Sequence, residues 1–102
     1  MANLKENPRL KDIQKYVQEG AQEIGFDKLK GSQRYLMLVE EVGELAKGIR
    51  KSEAIIVDTK TGSIEEELAD VLLQTCAVAN FFGIDLEEAF RKKQEKDIGR
   101  WK

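Results

Sequence analysis

The run Ser63-Ile64-Glu65-Glu66-Glu67-Leu68-Ala69-Asp70-Val71-Leu72-Leu73-Gln74-Thr75-Cys76-Ala77-Val78-Ala79-Asn80-Phe81-Phe82 decides the fold of this chain. Ser63 reads as a helix N-cap, and Glu66, three residues on, completes a capping box. From Leu68 onward the segment is apolar nearly all round, interrupted by Asp70, Gln74, Thr75 and Asn80. A helix that is apolar on every face is expected to be buried on every face, so this is the central helix. It carries more apolar surface than one small protomer readily covers, which predicts an oligomer formed through the central helices. Asp70 is the informative residue, because a carboxylate buried in such a helix needs a partner charge or a metal. Glu67, Asp70 and Gln74 fall on one stripe.

Upstream, Ser32 is placed to cap a helix over about residues 33–51. Tyr35, Leu38, Val42, Leu45 and Ile49 form its apolar stripe, with Glu41 beside it and Glu44 and Glu40 progressively further round. Gly43 costs this helix about 1 kcal/mol relative to Ala; close helix approach or simple tolerance accounts for it. If the two helices pair side by side, Glu41, Glu44, Glu67 and Asp70 converge on one small volume. Two carboxylates about 4 Å apart repel by roughly 4 kcal/mol at an effective dielectric near 20. Four of them require protons, strong hydrogen-bond donors or a cation.

The remaining segments complete an all-α, four-helix chain, read as one domain over 1–102. Asn7 as cap and Pro8 in the first turn open a helix over about 8–24, which stops at Gly25. Phe26 and Leu29, in the connection that follows, pack back on the core. Residues 52–62 are read as a loop. Asp58 to Gly62 fails as a calcium site because Lys60 stands at a ligand position and no acid closes the loop. Gly83 ends the central helix, and Asp85 with Glu88 forms a second capping box. Leu86, Ala89 and Phe90 give the last helix a short apolar face before Arg91–Lys96 turns polar.

Composition narrows the function. A net charge of -2 lacks the positive balance that a nucleic-acid polymer selects. No apolar run approaches the ~20 residues of a membrane span, and the N-terminus is polar, unlike a signal peptide. The chain has no histidine, which removes His-ligated zinc and His-based catalytic triads. Its one cysteine, Cys76, lies in an apolar run and reads as a buried small hydrophobe suited to a reducing cytoplasm. The four converging acids offer hard oxygen ligands only, a donor set that selects magnesium or manganese over zinc or copper. Magnesium is typically shared between carboxylates and substrate phosphates, which points to phosphate chemistry. The plain alternative is a solvated acidic face, with Glu65-Glu66-Glu67 complementing the helix dipole.

The pattern Glu40-Glu41-x-x-Glu44, 22 residues, then Glu67-x-x-Asp70 resembles the signature of the all-α nucleotide pyrophosphohydrolases, the MazG-like superfamily. That group includes MazG, dCTP pyrophosphatases, dimeric dUTPases and phosphoribosyl-ATP pyrophosphohydrolases. Leu-Val-Glu-Glu-Val-Gly-Glu-Leu-Ala-Lys, Glu-Glu-Leu-Ala-Asp-Val-Leu and Gly-Ile-Asp-Leu-Glu-Glu-Ala extend the likeness over about residues 10–101. The resemblance implies hydrolysis of a nucleoside triphosphate to a monophosphate and pyrophosphate, with house-cleaning of non-standard nucleotides as the family-level role. It implies Glu41, Glu44, Glu67 and Asp70 as Mg²⁺ ligands, with Mn²⁺ as a substitute. Glu40 is either an accessory acid that orients the attacking water or a solvated side chain.

Lys93 and Arg100 match the basic residues with which relatives contact the substrate, and Lys96 is also basic; the competing reading is a frayed, solvated terminus. Asp97 stands where relatives usually carry Asn, and a carboxylate there repels phosphate unless a metal or a basic side chain offsets it. For the base, Tyr16 and Phe26 are the available aromatics and Gln14 is the candidate polar reader. Trp101 either covers the site from a neighbouring subunit or anchors the tail. The expected protein is therefore a cytoplasmic homodimer or homotetramer acting on nucleoside triphosphates. The alternatives are phosphoribosyl-ATP or dUTP as substrate, or a non-catalytic helical oligomer that binds nucleotides or another protein.

Overall fold

A computed structural model describes residues 2–53 and 63–101. Four helices follow in order: α1 Leu10–Ile24, α2 Gly31–Ser52, α3 Ile64–Phe81 and α4 Leu86–Trp101, with a 3₁₀ turn at Phe26–Lys28 between α1 and α2. There is no strand among the described residues. Ser52 closes α2, Glu53 follows as a turn residue, and the rest of the expected 52–62 loop, apart from these two, lies outside the described residues.

Local chemistry sets the helix ends. At α3 the expected box is present: Glu66 N–H donates to Ser63 Oγ at 3.1 Å and Ser63 N–H to Glu66 Oε1 at 3.4 Å. At α4, Glu88 N–H donates to Asp85 Oδ1 at 3.1 Å. The first two helices start elsewhere than expected. The Asp12 carboxylate accepts from Arg9 N–H at 2.9 Å, so Arg9 is the cap of α1. Asn7 lies upstream in a left-handed conformation with φ 53°. The same exchange occurs at α2, where Gln33 Oε1 accepts from Lys30 N–H at 2.8 Å and Ser32 falls inside the first turn. In each case the third helical residue reaches back to the cap's orphan N–H, a contact that does not need a Ser or Asn at the cap. Gly25, at φ 79°, supplies the left-handed stop of α1.

Helix α3 packs along α2 and, over a shorter length, along α1, while α4 packs chiefly on α1. Two ties fix these contacts. The buried Gln14 side chain donates through Nε2 to Ile84 O and accepts Leu86 N–H at 3.1 Å, joining α1 to the α3–α4 turn. Arg34 is 8% exposed and donates to three main-chain oxygens: Leu29 at 3.0 Å, Ala77 at 2.9 Å and Asp27 at 2.7 Å. Its guanidinium also lies 5.4 Å from the Phe81 ring centroid. Gly31 allows this end of α2 to approach α3, since a Cβ there would meet the Phe81 ring at 3.0 Å.

The chain does not bury its central helix on every side, contrary to the expectation from composition. Among the described residues the buried apolar side chains are Val17, Cys76 and Ala79, whereas Leu68, Leu72, Leu73, Phe81 and Phe82 of the central segment are all exposed. Burial of Cys76 is as expected, and it pushes the thiol pKa up. The face of α2 that meets α3 also differs from the expected stripe: Arg34 and Gly48 are buried there, while Tyr35, Val42 and Ile49 point outward. Glu41 falls seven residues from each of the two buried positions, so it stands in the middle of the contact face rather than beside it. A Cβ on Gly43 would meet nothing within 4 Å, so close helix approach does not explain that glycine. The chain exposes 7811 Å², against about 5,800 Å² for a compact monomer of 11.6 kDa. Its radius of gyration of 15.9 Å likewise exceeds the roughly 13 Å typical of this length.

Candidate active site

Pairing of α2 with α3 brings Glu41, Glu67 and Asp70 together, with one carboxylate oxygen from each within 4.8 Å of the others. Glu67 and Asp70 are three residues apart on α3 and share a face. Burial reverses the order expected from sequence: Glu67 is 7% exposed, Glu41 is half-buried and Asp70 is exposed. Leu68 and Leu72, on either side of Asp70 in the sequence, are exposed as well. Glu67, one turn into the helix, lies under α2 instead.

The carboxyl of Glu41 is held above the usual carboxylate range. Removal from water is the first cause, followed by the charges of Asp70, Glu67, Glu44 and Glu40. A group of oxygens that raises the pKa of its own member in this way favours either a proton or a cation. With no nitrogen or sulfur donor in the group, the donor set fits a hard divalent cation such as Mg²⁺.

The other candidate residues are placed differently. Glu44 is not within the group of three; its carboxylate is 3.3 Å from Lys47 Nζ. Glu40 is exposed on the same helix. On α4, Lys93 Nζ donates to Asp97 Oδ1 at 2.9 Å, so the acid at the expected Asn position is neutralised by the lysine one turn before it. Lys96 is exposed, and the side chain of Arg100 lies outside the described residues, as does that of Trp101. The packing of α4 is chiefly on α1. Gln14 is engaged at both ends of its amide by main-chain groups, which makes it a tie between helices.

Beside the carboxylates, α1, α2 and α3 enclose a cavity of about 290 Å³ beneath the α1–α2 connection, lined by Tyr16, Phe26, Met37, Leu73 and Gln74 among others. Met37 is one turn before Glu41 and Gln74 one turn after Asp70, so the cavity adjoins the acidic group along both helices. Sequence reasoning missed Arg34, which forms part of this wall. Its signal was a cation on the row of α2 that also carries Glu41, a row easily taken for solvent-facing.

The model of the MazG nucleotide pyrophosphohydrolase domain matches residues 31–102, the part of the chain that contains Glu40, Glu41, Glu44, Glu67 and Asp70. Among curated proteins the chain is similar to YvdC of Bacillus subtilis, at 29% identity over 98 residues, covering 86% of this chain and 92% of that protein. Among solved structures it is similar to iMazG from Vibrio DAT 722, with a TM-score of 0.69 and 29% identity over 91% of this chain and 97% of that one. It is also similar to YPJD of Bacillus subtilis, whose description proposes a pyrophosphatase. There the TM-score is 0.76 and the identity 30%, covering 90% of this chain and 95% of that one. Four helices in this order, the paired acids of α2 and α3, and the extent of these matches lead to one assignment: the chain belongs to the MazG nucleotide pyrophosphohydrolase family.

Proposed function

We propose that this protein is a Mg²⁺-dependent nucleoside-triphosphate pyrophosphohydrolase that converts a (d)NTP and water to a (d)NMP and pyrophosphate. The observation that carries this reading is the group of Glu41, Glu67 and Asp70 oxygens within 4.8 Å at the α2–α3 contact. These three residues hold the cation, and Glu44 joins them by turning from Lys47. The cation, when bound, neutralises charge on the phosphate oxygens and lowers the pKa of a nearby water. Glu40, exposed at the rim, orients the attacking water and accepts its proton. Lys93, Lys96 and Arg100 supply positive charge to the leaving pyrophosphate, and Asp97 sets how much of the Lys93 charge is available. The active form is a cytoplasmic homo-oligomer, since the apolar faces of α3 and α4 are too extensive for a lone protomer. Removal of non-standard nucleotides is its role.

The test is turnover of a panel of natural and damaged triphosphates, dUTP and phosphoribosyl-ATP included, with pyrophosphate and monophosphate both quantified. A 1:1 yield that depends on Mg²⁺ and disappears in Glu41→Gln and Asp70→Asn is expected. No turnover of any compound, or turnover indifferent to both substitutions, overturns the reading and leaves a non-catalytic binding protein.

A further inference from the structure

We infer that Gln74 is the residue that reads the nucleotide base. The inference rests on the phosphate site proposed above and adds to it the group that sets base preference. Gln74 lines the cavity between α1, α2 and α3, is half-buried, and has no hydrogen-bond partner among the described residues. Its donor and acceptor are therefore available to a ligand that enters the cavity. The other polar groups nearby are less available. The Gln14 amide is bound to Ile84 O and Leu86 N–H, and the Arg34 guanidinium is bound to three carbonyls.

Spacing supports the same role. Gln74 lies four residues beyond Asp70, about 6 Å along α3, a separation that a nucleotide with its phosphates at the carboxylates can span to bring its base to this amide. A volume of about 290 Å³ is at the lower edge of small-molecule pockets, roughly 300–1,000 Å³. It accepts a base and leaves the triphosphate outside. Phe26, Met37 and Leu73 offer flat or adaptable apolar walls for the ring, and the amide presents one donor and one acceptor to its polar edge.

The experiment compares wild type, Gln74→Met, Gln74→Glu and, as a control outside the cavity, Tyr35→Phe at an exposed position of α2, in kcat/KM across dCTP, dTTP, dUTP, dATP and dGTP. Calorimetric binding of the corresponding monophosphates, without metal, is measured alongside. Gln74→Met is expected to flatten the preference between the best and worst base by roughly tenfold, the scale of one good two-point base contact. Gln74→Glu, which only accepts, should move preference toward bases with an exocyclic amine and away from uracil and thymine. Tyr35→Phe should leave the ranking intact.

Two results overturn the inference: a wild type without base preference, or a ranking unchanged in a folded Gln74→Met. If no triphosphate is turned over, the proposed function fails, and monophosphate binding still decides the role of Gln74. Weaker, less selective binding in Gln74→Met supports it, and equal binding overturns it.

Discussion

Lys47 holds Glu44, with its Nζ 3.3 Å from Glu44 Oε1, one turn away from the carboxylates of Glu41, Glu67 and Asp70. The lysine therefore competes with any cation for one of the acids and lowers the negative potential of the whole group. Replacing it should sharpen the response to metal. In Lys47→Met the rise in Tm on adding Mg²⁺ should exceed that of wild type, and the metal-free Tm should fall. Equal metal-induced shifts in the two proteins would show that Lys47 and the cation do not share an acid.

The raised Glu41 carboxyl gives a pH dependence with a definite sign. Between the ordinary carboxylate value of 4.5 and the raised folded value, the folded chain keeps a proton that the unfolded chain has lost. Stability must then fall as pH rises through this window. Denaturant unfolding of the metal-free protein across that range should show the decline, and Glu41→Gln should remove its share. Asp12 works in the opposite sense. Its carboxyl is held low, first by the Arg9 N–H, so its stabilising effect is present above 3.8 and is lost as pH falls through the lowered folded value.

Asp97→Asn should release Lys93 from its 2.9 Å ion pair and place an amide at position 97 of α4. A several-fold lower KM for triphosphate with little change in kcat is the expected kinetic signature, since the gain is in binding. A raised KM would mean that the lysine is useful only while Asp97 holds it in place.

Arg34→Met should be among the most damaging single changes in the protein. It leaves the carbonyls of Asp27, Leu29 and Ala77 without the charged donor that joins them. A hydrogen bond to a charged group contributes about 1.5–3 kcal/mol, and a shared donor makes the three less than additive. A loss of roughly 3 kcal/mol in denaturant unfolding is expected. Arg34→Lys should restore little, because an ammonium lacks the planar fork that reaches three directions.

Gly43→Ala should stabilise the chain by about 0.5–1 kcal/mol through helix propensity alone. Its Cβ meets nothing within 4 Å. A lower Tm in this variant would show that the added methyl is not accommodated at that face of α2.

Features set by neighbours in sequence were legible from the residues. The Ser63–Glu66 box, the Gly25 stop and the order of four helices depend on contacts within four residues, which spacing reports directly. The meeting of Glu41 with Glu67 and Asp70 was legible too, because a three-residue period fixes two of the acids on one face. Which acid is buried was not legible, since it depends on the side of α3 that α2 covers, and an evenly apolar helix carries no directional signal. Gln14 shows the same limit. Its partners at Ile84 and Leu86 lie about seventy residues away, and nothing near position 14 reveals that its amide is already engaged. The caps of α1 and α2 were displaced for a local reason: Asp12 and Gln33 provide the acceptor from within the helix, so residue type at the cap is a weak guide.

The Arg34 tie also constrains how the sequence can drift. Its acceptors at positions 27, 29 and 77 are main-chain oxygens, and every amino acid carries one. Substitution at those three positions leaves the acceptors in place, whereas substitution at 34 removes the donor from all of them. One codon therefore bears the cost of joining the α1–α2 connection to α3, and the tie itself places no demand on the side chains at 27, 29 and 77.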